Sequence, residues 1–376
     1  MINRALYQQI IADCSRQKVT LLVGARRVGK TELLLRVKNH LADACLWLNG
    51  EDEDTERILE ERTVANYKRL LQNKKLLIID EAQYIKDIGR KVKLMIDEIK
   101  PLHIIITGSS SFDLQQTAGE PLVGRTITRQ LYPIAQMELA PMENSLTTRQ
   151  NLPERLVFGS YPEIFGITSL TEKEEYLKEL INTYLLKDLL VFEDIRNPQK
   201  LKDLLVLLAY QIGREVSFEE LGRGLGISKN TVERYLDLLS KVFVLYKRSG
   251  YSKNLRKEVV KSSRWYFTDN GVRNTLINNF SLLPLRQDVG MLWENYLLSE
   301  RMKYNAYTRH SVNSYFWRTY DQQEIDLIEE QAGILSAYEI KWNAAQVRIP
   351  VAFAKAYPAA VFEVMNQNNY PSFIVG

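Results

Sequence analysis

Cysteine is almost missing from this sequence: Cys14 and Cys45 are the only two in 376 residues. One such pair offers neither a disulfide framework nor the clustered spacing of a zinc site, and it points to a reducing compartment. Long apolar runs are missing too. No stretch approaches the roughly 20 residues that a membrane span needs. The opening segment, residues 1–17, mixes Arg4, Asp13 and Arg16 among apolar positions, the pattern of an amphipathic helix and not of a signal peptide. A cytoplasmic protein with no membrane partner is expected. Net charge is also small, at +4, so the chain as a whole shows no bias toward nucleic acid. Its distribution does. From Lys200 to Trp265 there are 14 Lys/Arg against 7 Asp/Glu. That local surplus exceeds the charge of the whole chain, so the middle is the basic part and the remainder is slightly acidic.

Apolar content of 45% with 26% charged residues suits an ordinary globular protein of two or three domains. The organising stretch is Val19 to Thr31. A β-branched apolar run ends in Gly24; Gly29, Lys30 and Thr31 follow, and then the helical pattern Glu32 to Val37. This is G-x-x-x-x-G-K-[ST] between a strand and a helix, the context of a phosphate-binding loop. Gly24, Ala25, Arg26, Arg27, Val28, Gly29, Lys30, Thr31 and Glu32 would cradle the nucleotide. Backbone N–H groups and the helix N-terminus face its phosphates. Lys30 would reach the β- and γ-phosphates and Thr31 would hold Mg²⁺, so the expected cofactors are ATP and Mg²⁺.

Further strands are expected at Ala44–Leu48, Lys75–Ile79, Leu102–Ile106 and Thr126–Leu131, with one helix over Thr55–Gln72. The third strand ends in Asp80-Glu81. Asp80 would serve Mg²⁺ and Glu81 would polarise the attacking water. The fourth strand runs into Thr107-Gly108-Ser109, and its end should lie beside the phosphate loop in a doubly wound sheet. Thr107 or Ser109 would then sense the γ-phosphate; a Ser/Gly turn capping a helix over Phe112–Thr117 is the plainer reading. Arg125 or Arg129 is a candidate arginine finger, against the commoner fate of a solvent-facing arginine. A finger donated by a second copy would make the protein a homo-oligomer.

The motifs Gly24–Thr31, Ile79–Gln83, Thr107–Ser111 and Val123–Thr126 resemble those of the AAA-type ATPases of bacteria and archaea. In that family a small ATPase core is fused to a winged helix and a restriction-endonuclease-like segment. The resemblance continues through Phe158–Glu163, Tyr266–Gly271 and Gly290–Asn295. It implies an α/β chain in three parts: a P-loop ATPase core over 1–140, a helical and winged-helix region over 141–285, and a nuclease-like domain over 286–376.

The loss of periodicity over 140–153, with two prolines, marks the first boundary. From Thr171 to Tyr210 the pattern is helical, with Tyr184, Leu185, Leu189 and Leu190 spaced for one face. Val216–Leu236 reads as helix, glycine turn with Ser228 as N-cap, and helix. Asn230, Thr231 and Arg234 would meet the major groove of DNA. Lys247, Arg248, Lys253, Arg256 and Lys257 would meet phosphates; a rigid protein-contact module is the competing reading. Near the end, Glu339 and Lys341 share one face of a strand, Asp326 can join them from the next strand, and Glu294 sits on a preceding helix. This resembles the PD-(D/E)xK nuclease pattern, although no proline precedes the first acid. The pattern implies Glu294, Asp326 and Glu339 as metal ligands and Lys341 beside the attacking water. Charges decorating a solvent face are the alternative.

Overall fold

Residues 2–41, 44–108, 122–185, 195, 197–252, 263–319, 321–343 and 346–376 are described by the structure, a computed structural model, the side chains of 184 and 185 excepted. The chain divides into two units: Met1–Tyr132 with Lys241–Phe243, and Pro133–Ser240 with Val244–Gly376.

The first unit is built on five parallel strands, β1 (Val19–Val23), β2 (Cys45–Asn49), β3 (Leu76–Asp80), β4 (His103–Gly108) and β5 (Thr126–Gln130), in the order β2-β3-β4-β1-β5. Every residue of β1, β3 and β4 is buried. A parallel strand covered on both faces needs a continuous apolar run and not an alternating one, and these strands have it. Leu21, Leu77, Ile79, Ile104 and Ile106 pack with Tyr67, Leu71, Val92 and Met95. β4 lies between β1 and β3, with Thr107 level with Leu22 and Ile106 level with Ile79. The ends of the loop strand and of the acidic strand therefore flank Thr107.

Two helical expectations change. The opening helix spans only Leu6–Asp13. The single helix expected over 55–72 is two, Glu53–Glu60 and Val64–Leu71. Thr63 leaves helical geometry and its hydroxyl caps the second by accepting from Asn66 N.

The second unit carries a six-stranded mixed sheet, in the order β11-β10-β9-β8-β6-β7. Its strands are β6 (Leu245–Gly250), β7 (Ser263–Phe267), β8 (Asn313–Arg318), β9 (Glu324–Gln331), β10 (Ile334–Ile340) and β11 (Val361–Met365). β6 and β7 form an antiparallel pair after the helices Phe218–Leu225 and Lys229–Lys241. β6 then pairs in parallel with β8 at Ser249↔Tyr315 and Gly250↔Phe316. Residues 285 and 286 lie within this unit, in which the hairpin and the C-terminal strands share a sheet. The two compact units meet at Tyr132/Pro133, a few residues before the boundary expected at 140. Residues 145–153 open the helix Ser145–Phe158, which Asn144 caps and which holds Pro153 inside it; burial of Leu152, Leu156 and Phe158 outweighs the proline.

Buried amide and carboxylate side chains knit this unit together. Asp269 Oδ2 accepts from Ser160 N at 2.7 Å and Oδ1 from Gly271 N at 2.8 Å. Asn270 Nδ2 donates to Leu292 O at 3.0 Å. Asn295 accepts from Phe267 N at 2.8 Å, and its Nδ2 donates to Phe267 O at 3.0 Å and to Asn270 Oδ1 at 2.7 Å, imitating a neighbouring strand at the edge of β7. Three motifs singled out by the family resemblance therefore meet as a structural joint. Asn295→Ala would strand the Phe267 amide and carbonyl, and a loss of about 2–4 kcal/mol in urea unfolding is expected.

Candidate functional site

The first site forms where β1 turns into the helix Lys30–His40. Gly24 is required by close approach: a Cβ there would lie 2.2 Å from the Leu131 carbonyl oxygen. Gly29 caps the helix at φ +92°, a left-handed conformation that suits glycine. Lys30 is buried and folds back on the loop, its Nζ donating to Gly24 O at 2.8 Å and Ala25 O at 3.0 Å. Arg26 donates to the Tyr84 hydroxyl at 3.2 Å. Arg27 holds a left-handed φ of 62° and is exposed, as are Thr31 and Glu32 on the first helical turn, whereas the Val28 side chain is wholly buried.

Asp80 joins three elements. Its Oδ2 accepts from Thr31 Oγ1 at 2.7 Å and its Oδ1 from Thr107 Oγ1 at 2.5 Å, while Thr107 Oγ1 also accepts from Glu81 N at 2.8 Å. Loop, acidic strand and central strand are thereby tied at one carboxylate. Glu81, at φ 49°, accepts from Gln83 Nε2 at 2.5 Å. The oxygens of Asp80 and Thr31 form a hard, partly exposed donor set that fits Mg²⁺.

Arg125 is not brought here. It precedes β5 at the sheet edge opposite the loop, since Thr126 is level with Val19 and Gln130 with Val23, and it pairs with Asp97 at 2.6 Å. Arg129 is spent on the buried Asp13, at 2.8 and 3.0 Å. Ser109 and the helix expected over 112–117 lie outside the described residues. Sequence reasoning missed Arg4, whose buried guanidinium donates to Val28 O at 2.6 Å and Tyr132 O at 2.5 Å, bracing the loop from outside the motif. Partners so distant in the chain leave no local signal.

A second group of ionisable residues gathers on the sheet of the second unit. Asp326 is buried and accepts from Ile340 N at 2.8 Å; Lys341 Nζ donates to Glu339 Oε1 at 2.5 Å. Glu339 Oε2 is buried without a hydrogen-bond partner. Glu294 accepts from the Tyr266 hydroxyl at 2.8 Å, and Arg264 reaches Glu324 at 2.7 Å and Asp326 at 4.0 Å. Burial, then the Asp326 charge, pushes Glu294 up to about 8. Burial also raises Asp326, and burial with the Asp326 charge raises Glu339. Burial works against the Lys341 ammonium, yet Glu339 and Asp326 hold its pKa above the usual range. Among the described residues no group of three or more His, Cys, Asp or Glu is arranged to hold a metal ion. Glu294, Asp326 and Glu339 therefore share a neighbourhood and a field but not a ready coordination shell, because Asp326 is committed to Ile340 N–H and Arg264. Tyr266, Arg264 and Glu324 belong to this cluster and were not anticipated.

Of the residues expected to meet DNA, Asn230, Arg234 and Lys247 are exposed and Thr231 is partly so. Arg248 is buried, which corrects its placement on an outer surface. Lys253, Arg256, Lys257, Leu189 and Leu190 lie outside the described residues. Among the described residues no helix is long and apolar enough to cross a membrane.

Residues 16–140 match the family model of an AAA domain, and residues 149–283 and 289–368 match two domains of unknown function, DUF8612 and DUF4143. The chain is 28% identical over 331 residues to an uncharacterized protein of Mycobacterium tuberculosis, covering 87% of this chain and 70% of that protein. It is 26% identical over 332 residues to an uncharacterized protein of Methanocaldococcus jannaschii, covering 81% and 74%. Domain III of the Thermotoga maritima replication initiation protein DnaA superposes with a TM-score of 0.30 at 16% identity, over 57% of this chain and 88% of that one. The AAA match over residues 16–140 and the five-stranded parallel sheet of the first unit are consistent with each other and with a P-loop nucleotide-binding core.

The raised Glu294 carries a pH dependence of known sign. A carboxyl whose folded pKa lies above its unfolded value lends stability that is complete below about pH 4.3 and is lost as pH rises through about 8. Glu294→Gln should flatten the fall of the melting midpoint between pH 6 and pH 9 relative to the wild type.

Proposed function

We propose that the chain is a Mg²⁺-dependent ATP hydrolase whose nucleotide state governs a DNA-associated winged helix and a nuclease-like centre. The observation that carries the hydrolase reading is the pair of hydrogen bonds that Thr31 and Thr107 donate to Asp80. It gathers a metal-binding hydroxyl, a metal-binding carboxylate and a central-strand hydroxyl at the mouth of the phosphate loop. Lys30 now rests on the carbonyls of Gly24 and Ala25, so it is a preplaced cation that phosphate oxygens would take over. Thr31 and Asp80 would hold Mg²⁺, whose charge would neutralise the transferred phosphoryl group. Glu81 orients the attacking water and accepts its proton, while Thr107 fixes the Glu81 backbone.

Fluorescent-ATP binding and phosphate release test this. Lys30→Ala should abolish uptake. Glu81→Gln should bind with wild-type affinity and lose about a hundredfold or more in turnover. Equal turnover in wild type and Glu81→Gln removes the assigned base.

In the second unit the exposed Asn230 and Arg234 on the helix Lys229–Lys241, and the exposed Lys247 on β6, form the DNA-facing set. Glu339 with its unpartnered oxygen, and Lys341 beside it, support a nuclease-like centre. One observation favours a second reading, in which ATP switches assembly with protein partners and nothing is cut: Asp326 is engaged by Ile340 N–H and Arg264. Plasmid cleavage in Mg²⁺ or Mn²⁺ decides between them. The nuclease reading expects nicking that is lost in both Asp326→Ala and Lys341→Ala. The switch reading expects none from wild type, or nicking that neither substitution alters.

A further inference from the structure

Glu81 is held at both ends. Its backbone N–H donates to Thr107 Oγ1 at 2.8 Å, and its carboxylate Oε2 accepts from Gln83 Nε2 at 2.5 Å. The second hold depends on how the chain leaves β3. Glu81 takes a left-handed φ of 49° and Ala82–Tyr84 closes a single 3-10 turn, which brings the Gln83 amide back within reach of the Glu81 carboxylate. The turn is anchored on either side of Gln83. Ala82 is wholly buried in the core with Ile79 and Ile106, and the Tyr84 hydroxyl accepts from Arg26 of the phosphate loop at 3.2 Å.

The Gln83 amide is turned to suit Glu81 at its own expense. Its Oε1 is buried with no hydrogen-bond partner. Exchanging the oxygen and nitrogen of the amide would set two oxygens 2.5 Å apart, so Nε2 is the atom that faces the carboxylate. A buried acceptor left empty is unfavourable; the bond to Glu81 is therefore what fixes this side chain. Glu81 itself is only partly buried, and a glutamate free to turn about several bonds makes a poor base for a water that must be met in one direction. With Oε2 tied to Gln83, Oε1 is the oxygen left for that water.

We infer that Gln83 is a positioning residue for ATP hydrolysis: its side-chain amide sets the Glu81 carboxylate so that Oε1 receives the proton of the attacking water. The water oxygen bonds to the γ-phosphorus, the bond from that phosphorus to the oxygen of the leaving ADP breaks, and the proton passes to Glu81. Gln83 exchanges no proton. The inference rests on the ATP-hydrolase reading above and adds to it the residue that aims the base.

Single-turnover phosphate release and fluorescent-ATP binding, both with Mg²⁺ on the full chain, test it. Gln83→Met keeps the length and removes the donor; its hydrolysis rate should fall about tenfold while ATP affinity stays at the wild-type value. Gln83→Glu sets a second carboxylate against the first and should fall further. Gln83→Asn keeps the donor on a shorter stem and should recover part of the rate lost in Gln83→Met. Because Gln83 acts through Glu81, adding Gln83→Met to Glu81→Gln should slow hydrolysis by less than about twofold. A wild-type rate in Gln83→Met, the full loss repeated on the Glu81→Gln background, or a fall in ATP affinity that matches the fall in rate overturns the inference and leaves Glu81 as the base. No hydrolysis by the wild type, or equal rates in wild type and Glu81→Gln, overturns the hydrolase reading and this inference with it.

Discussion

Asp80 is the point on which the first unit turns. One carboxylate accepts a hydroxyl from the helix that follows the phosphate loop and another from the central strand, and that second hydroxyl also receives the amide of Glu81. The arrangement is possible only because β4 lies between β1 and β3. Were β3 paired directly with β1, Thr107 would have no place there. Topology and side-chain placement are therefore one constraint: the strand order carries Thr107 to the junction, and the hydrogen bonds fix Thr31, Asp80 and Thr107 there.

The second unit is held on a different principle. Its sheet is mixed, and much of its interior is polar. Asn270, Asn295 and Asp269 satisfy backbone groups of separate segments, which apolar packing alone would leave unanswered. Such networks tolerate little change. They explain why short polar signatures such as Thr268-Asp269-Asn270-Gly271 look functional in a sequence while serving to join helices and strands.

Legibility in the sequence followed the range of the interactions. The phosphate loop, Asp80-Glu81 and the buried parallel strands were readable because each rests on a local pattern: a motif at fixed spacing, or an apolar run of strand length. The end of the Thr107 strand lies beside the loop strand and the acidic strand, where the rule that ligands gather at strand ends led one to look. Arg4 and Gln83 left no such trace, since their roles exist only once distant backbone arrives. Residues 140–153, read from their lost periodicity as the boundary of the ATPase core, open a helix that the Asn144 cap and the buried leucines carry through Pro153. Arg248 was misplaced because charge alone says nothing of face; its register against Arg264 turns it inward.

The narrow parallel contact between β6 and β8, at Ser249–Gly250 against Tyr315–Phe316, has an evolutionary corollary. A gene split near residue 285 would yield two fragments, each ending its sheet in an uncapped row of amides and carbonyls, an invitation to stick to stray chains. Recombination that shuffles modules freely elsewhere would be penalised at this seam.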